Sequence, residues 1–299
     1  MVIDGPRVVG TVIRRAGDVL LDTAARFLHY HPVMVDLISS LILSAFVVLM
    51  ALLWVVFAVL PKRARNQRLD GHGGILLGRG LMEAAYRLFA PLVRALVALR
   101  VTPNMVTTFS LVPAFVSAVL IAMGHFGLGA LLATGSGFCD MIDGMLARHY
   151  NSTSDVGELF DAAVDRYVEF LLLAGLAVYF RGSPVVIVLC LGTVLGSFMV
   201  SYTTAKAEAL GVPPPKGAMR RAERAVYVIF GCSVAPLWEL VVPGDRTFAT
   251  IAYGRELPIE LALVLVAVIA NISAVRRMLR IAELIRAKQA AAPPPALLS

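Results

Sequence analysis

From Asn104 to Met123 the chain runs for 20 residues without a single charge. About 20 apolar residues are what one helical crossing of a bilayer needs. Inside lipid every backbone N–H and C=O must be satisfied within its own segment, so such a run folds as a helix. Comparable runs follow: Phe126 into Asp140 and Asp143, Val156–Phe180, Pro184 to about Thr203, Ala225–Val242 and Leu257–Val275. An earlier one, Val33–Leu60, precedes them all. With 59% hydrophobic and 16% charged residues and a mean hydropathy of +0.80, a soluble fold is excluded. The expected architecture is an all-α integral membrane protein: six core transmembrane helices, preceded by an interfacial amphipathic helix and one extra N-terminal transmembrane helix.

The interfacial helix is expected over Leu81–Arg100, where Glu83, Arg87 and Arg94 fall near one face and Pro91 should introduce a kink. Residues 1–32 mix arginines and aspartates with Val and Leu at helical spacing, a second amphipathic segment. The glycine-rich stretch 69–80 has no preceding strand and matches no full phosphate-loop fingerprint, so it is a linker. The organisation is then an N-terminal extension over 1–75, a core domain over 76–288 and a disordered tail over 289–299. Gly192-x-x-x-Gly196 lets helices approach closely and carries no chemistry. Cys139, Cys190 and Cys232 are scattered in apolar segments, as small buried hydrophobes are. No compact apolar core followed by a small-residue cleavage site marks a signal peptide in the first 31 residues.

Lys and Arg concentrate at 62–68, 206–224 and 276–288, whereas the turns after Phe180 and around Asp245 hold few. The positive-inside rule places the three basic segments in the cytoplasm and the N-terminus outside. A net charge of +7 suits anionic headgroups. No basic stripe interleaved with aromatics is present, so nucleic acid is not an expected partner.

Against this apolar background stand Asp140, Asp143, Asp161 and Asp165. Charge at membrane depth is expensive and is seldom retained without a functional partner. Asp140 and Asp143 share a helix face, as do Asp161 and Asp165, and the short turn 150–155 makes the two helices antiparallel neighbours on which the pairs converge. Four gathered carboxylates repel unless a cation holds them. Oxygen ligands without histidine or thiolate favour Mg²⁺ or Mn²⁺ over zinc. Gly144 and Ala147 leave room for a bulky ligand, and Arg148 offers a bidentate cation to a phosphate. Ion pairs sealing a vestibule, or the binding site of a divalent-cation transporter, would also account for the aspartates, although a cation path does not favour a fixed arginine.

Written out, the stretch reads Asp140-x2-Asp143-Gly144-x2-Ala147-Arg148-x8-Gly157-x3-Asp161-x3-Asp165. It resembles the signature of the CDP-alcohol phosphatidyltransferase (phosphotransferase) family, and the wider resemblance spans roughly residues 80–280, including Thr102-Pro103-Asn104 at the start of the first core span. The resemblance implies transfer of a phosphatidyl group from CDP-diacylglycerol to a polar alcohol, with release of CMP, by a homodimer in the inner membrane whose active site faces the cytoplasm. It implies that Asp140, Asp143, Asp161 and Asp165 hold Mg²⁺ or Mn²⁺, in two ions, and that Asp165 also deprotonates the acceptor. It places Asn104, Asp143, Gly144, Ala147, Arg148 and Gly157 along the CDP moiety.

Two further segments bear on the acceptor. Ser201-Tyr202-Thr203-Thr204-Ala205-Lys206-Ala207-Glu208 resembles the SYxxAxAE segment of the phosphatidylinositol-phosphate synthase branch, with Thr204 where a second basic residue is expected. Arg220-Arg221-Ala222-Glu223-Arg224 resembles the opening of that branch's fifth core span. A phosphate needs two or three cationic donors. Lys206, Arg221 and Arg224 are the expected ones, with Arg276 or Arg277 as an addition. Inositol phosphate is the first-choice acceptor; inositol, glycerol 3-phosphate and serine are alternatives. His149 is expected at a helix surface, Glu169 in an ion pair, and Glu239 near the outer interface.

Overall fold

The computed structural model describes residues 34–47, 79–150, 154–215, 219–242, 246–248 and 251–291. Its helices are α1 (Met34–Val47), α2 (Arg79–Ala98), α3 (Pro103–Ala122), α4 (Phe126–Tyr150), α5 (Asp155–Tyr179), α6 (Pro184–Ala209), α7 (Arg221–Val241) and α8 (Leu257–Ala291). Four of them, α3, α6, α7 and α8, are long and apolar enough to cross a membrane. The helices α4 and α5 miss that mark because they carry the aspartates, yet their 25 residues each reach about 37 Å at 1.5 Å per residue. The protein is an all-helical integral membrane protein, with one exception. Between α7 and α8, β1 (Arg246–Phe248) and β2 (Ile251–Tyr253) pair antiparallel with Thr247 opposite Ala252. In the sequence this stretch reads as a loop, because three-residue strands carry too little periodicity to register.

α2 packs Phe89, Val93, Leu96 and Val97, one helical face, against Val106 of α3 and Ile142 and Leu146 of α4. Arg87 and Arg94 stay exposed, as an interfacial helix requires. The helix runs on through the exposed Pro91. It ends earlier than expected, because Arg100 turns left-handed (φ 57°) while Arg100 N and Val101 N donate to Val97 O and Leu96 O.

α3 is the central post: α4 and α5 each lie along it, while α6 pairs with α8 and α7 with α8 and α4. The Gly192/Gly196 face is what brings α6 onto α8. A Cβ at Gly196 would stand 2.7 Å from Asn271 Nδ2, and that amide donates to Gly192 O at 2.8 Å. α8 is one continuous helix to Ala291, so part of the expected tail is helical. Of the expected span Val33–Leu60, α1 is the described portion; the last two residues of the expected linker open α2, and residues 1–33, 48–78 and 292–299 lie outside the described residues.

α1 turns its polar face inward. Asp36, Ser39, Ser40 and Leu43 are buried, and Met34, Val35, Ile38, Leu41 and Ile42 face outward. Asp36 Oδ1 accepts from Leu128 N at 2.9 Å in the first turn of α4, and Phe46 meets Phe138 edge-on farther along, so α1 and α4 run in the same direction. At the end of the bundle opposite the aspartates, Arg255 lies over the Phe126 ring, donates to Gly124 O and stands 3.6 Å from Glu239.

Candidate active site

α4 brings Asp140 and Asp143 to the site and α5 brings Asp161 and Asp165. The two helices barely pack on each other, since each is braced mainly by α3, with α7 beside α4 and α6 beside α5. The expected antiparallel pair is therefore a pair held by a third helix, and the carboxylates converge across the space between. Ser154 starts α5 by accepting from Gly157 N at 3.1 Å.

One oxygen each from Asp140, Asp161 and Asp165 lies within 4.8 Å of the others. Asp143 is not in this trio. It is buried and accepts a 2.6 Å hydrogen bond from Thr107 Oγ1 of α3. Thr107 was not singled out from the sequence; its only signal is a place one turn beyond the Thr102-Pro103-Asn104 opening of that helix.

A cation beside the trio is Arg221 at the start of α7. Its Nη1 pairs with Asp165 and stands 3.4 Å from Asp140 Oδ1. Three carboxylates at such spacing repel by roughly 3.5 kcal/mol per pair at an effective dielectric of about 20, and one guanidinium leaves two of the three negative charges unmatched. Asp161 Oδ1 is buried without a hydrogen-bond partner among the described residues. An acceptor-only donor set of hard oxygens with one orphaned atom fits a divalent cation.

The remaining expected residues divide into three groups. Arg148 folds over Gly144, where an added Cβ would meet its guanidinium at 3.4 Å, with Ala147 half-buried beside it and Asn104 exposed at the start of α3. At Gly157 an added Cβ would stand 3.2 Å from Ser154 Oγ, which caps the start of α5. Lys206 is exposed on α6, and Thr204, two residues earlier, faces about 160° away around the helix.

Arg224, expected to face the acceptor, is committed elsewhere. Its side chain is 2% exposed, with Nε donating to Glu169 Oε1 at 3.1 Å, Nη2 to Oε2 at 3.4 Å and Nη1 to Met219 O. The burial that makes it a poor ligand for a soluble anion is invisible in a sequence of evenly spaced arginines. Arg277 of α8, an additional expected donor, donates from Nη1 to Thr204 Oγ1 at 2.7 Å. His149 is exposed against Tyr150, as expected.

Residues 100–268 match the CDP-alcohol phosphatidyltransferase family. The chain belongs to this family. A phosphatidylinositol phosphate synthase of Mycolicibacterium smegmatis is 32% identical over 52% of this chain and 73% of its own length, and that of Streptomyces avermitilis is 30% identical over 56% and 70%. An uncharacterized protein of Aquifex aeolicus is 33% identical over 58% of this chain and 95% of its own. Among solved structures, the Mycobacterium tuberculosis phosphatidylinositol phosphate synthase with CDP-diacylglycerol bound aligns at a TM-score of 0.56 and 26% identity, covering 71% of this chain and 100% of that one. The same enzyme in complex with manganese and citrate aligns at 0.55, covering 64% and 87%. The family match begins at residue 100, so α1 and α2 lie outside it.

Proposed function

We propose that this protein transfers the phosphatidyl group of CDP-diacylglycerol to the hydroxyl of an inositol phosphate, releasing CMP. The carrying observation is the trio Asp140, Asp161 and Asp165 with Arg221 beside it, in a chain similar to enzymes named for this product. The Asp140, Asp161 and Asp165 carboxylates would hold Mg²⁺ or Mn²⁺, and Asp143, kept in place by Thr107, completes the acidic set. A divalent ion there would offset the charge that develops on the departing CMP.

Asp165 takes the proton of the acceptor hydroxyl. The oxygen then forms its bond to the lipid-side phosphorus while the bond from that phosphorus to CMP breaks. Arg221 touches Asp165, so the group that receives the proton lies beside a cation able to hold the acceptor's phosphate. Arg277, with Arg220 and Arg224 within electrostatic reach, adds positive field on the same side. Asn104, Asp143, Gly144, Ala147, Arg148 and Gly157 run along the CDP moiety. The site faces the cytoplasm of the inner membrane, the core domain spans 76–288, and the enzyme works as a homodimer; the charge bias and the family resemblance support these placements.

The test is CMP release from purified protein in CDP-diacylglycerol vesicles with Mg²⁺ or Mn²⁺, offered inositol phosphate, inositol, glycerol 3-phosphate and serine in turn. Turnover highest with inositol phosphate is expected. No release with any acceptor overturns the transferase reading, and preference for a neutral acceptor overturns the phosphate.

A further inference from the structure

Thr204 stands in α6 where the branch it resembles carries a basic residue, and no charge is present there. The structure places an arginine from another helix against it. Thr204 Oγ1 donates its own proton to Val200 O at 2.9 Å, which leaves the hydroxyl lone pairs as acceptors, and Arg277 Nη1 of α8 donates to that oxygen at 2.7 Å. The hydroxyl is thus oriented by a backbone carbonyl and holds the guanidinium by one edge. Elsewhere on the same guanidinium, Arg277 Nε is buried and has no hydrogen-bond partner among the described residues. A buried unpaired N–H costs free energy until a ligand or water meets it.

Electrostatics point the same way. Arg224 and Arg220 lie within electrostatic reach of Arg277, and the Arg224 charge is already matched by Glu169. Like charges nearby disfavour a fixed place for Arg277, and the Thr204 bond holds it in one. A long side chain under such repulsion would otherwise spread over several rotamers.

We infer that Thr204 is a specificity-positioning residue that anchors Arg277 so that its guanidinium meets the phosphate of the acceptor. A tethered guanidinium on α8 thereby takes the place of a charge on α6. This rests on the inositol phosphate reading above. It gives the acceptor site two arginines with separate anchors, Arg221 on Asp165 and Arg277 on Thr204, while Arg224 stays in the buried pair.

The experiment uses full-length protein at saturating CDP-diacylglycerol and Mn²⁺, with inositol phosphate and, separately, inositol titrated. Thr204→Val is expected to raise the KM for inositol phosphate about tenfold, the effect of losing one hydrogen bond to a charged group. Its kcat and its KM for CDP-diacylglycerol should stay within about twofold, as should its turnover of inositol. Thr204→Ser, which keeps the hydroxyl, should restore the KM. If the valine variant does not fold, Thr204→Ala removes the hydroxyl without added bulk. An unchanged KM in Thr204→Val or Thr204→Ala, or a fall in kcat with both acceptors alike, overturns the inference while leaving the acceptor intact. Wild-type protein that does not turn over inositol phosphate overturns the acceptor reading, and this inference with it.

Discussion

Arg224 of α7 and Glu169 of α5 form an ion pair at 3.1 Å, one helical turn deeper than the pair between Arg221 and Asp165. The two helices are therefore joined by two stacked pairs with different surroundings. In the upper one the side chains are 29% and 13% exposed; in the lower, 2% and 10%. Exposure separates a pair that can exchange partners with substrate from one that holds the helices together.

The lower pair should behave as structure. Removing one member of a buried pair leaves the other charge uncompensated, which costs about 3–5 kcal/mol. Arg224→Ala and Glu169→Ala should each lower the midpoint of thermal unfolding in detergent by several degrees, and Arg224→Met combined with Glu169→Leu should recover much of the loss. A midpoint unchanged in Arg224→Ala, with only the KM for the acceptor raised, would return Arg224 to the acceptor site.

Asp165 should separate chemistry from binding. Asp165→Asn keeps the shape and some capacity to accept hydrogen bonds but no longer takes a proton. CMP release should fall at least a hundredfold, the scale of a lost general base, while the protein still binds CDP-diacylglycerol when Mn²⁺ is present, as read by fluorescence of a labelled lipid. Activity near wild type would remove Asp165 from the mechanism.

Much of this was legible in the sequence. Asp140, Asp161 and Asp165 were readable because helical periodicity alone puts each on a known face and charge in an apolar run demands a reason. The extent of α3 followed from the length of its uncharged apolar run, and the packing role of Gly192 and Gly196 from small residues four apart. What escaped depends on contacts between elements distant in the chain: Thr107 on Asp143 is 36 residues away, Arg224 on Glu169 55, and Arg277 on Thr204 73. Spacing says which face an arginine occupies and says nothing of the carboxylate or hydroxyl that faces it. The inward polar face of α1 escaped for the same reason, since Asp36, Ser39 and Ser40 in an apolar helix announce a partner without naming α4.

Metal removal tests the trio directly. A chelator should abolish CMP release, and Mn²⁺ or Mg²⁺ should restore it. Asp161 Oδ1 has no other partner among the described residues, so Asp161→Asn should weaken metal binding with little direct harm to the fold. The Mn²⁺ concentration for half-maximal activity should rise at least tenfold, and the upward shift in unfolding midpoint that Mn²⁺ gives wild-type protein should shrink. Full activity in excess chelator would argue that the carboxylates serve as ion-pair partners only.

α1 offers the last test, because it lies outside the family match yet its Leu43 joins the same buried cluster as Phe126, Ala130 and Ala133 of α4. It approaches α4 so closely at Gly127 that a Cβ there would overlap Asp36 O and Ser40 Oγ. Asp36 meanwhile occupies a backbone N–H at the start of α4, where a carboxylate is also favoured by the helix dipole. Asp36→Ala should lower the unfolding midpoint by a few degrees, as loss of a helix cap of about 1 kcal/mol predicts. Gly127→Val should do more, because it forces the helices apart along their length. If α1 merely floats beside the core, both variants will unfold with the wild type; if it braces the helix that carries Asp140, they will lose stability in the order Gly127→Val, then Asp36→Ala.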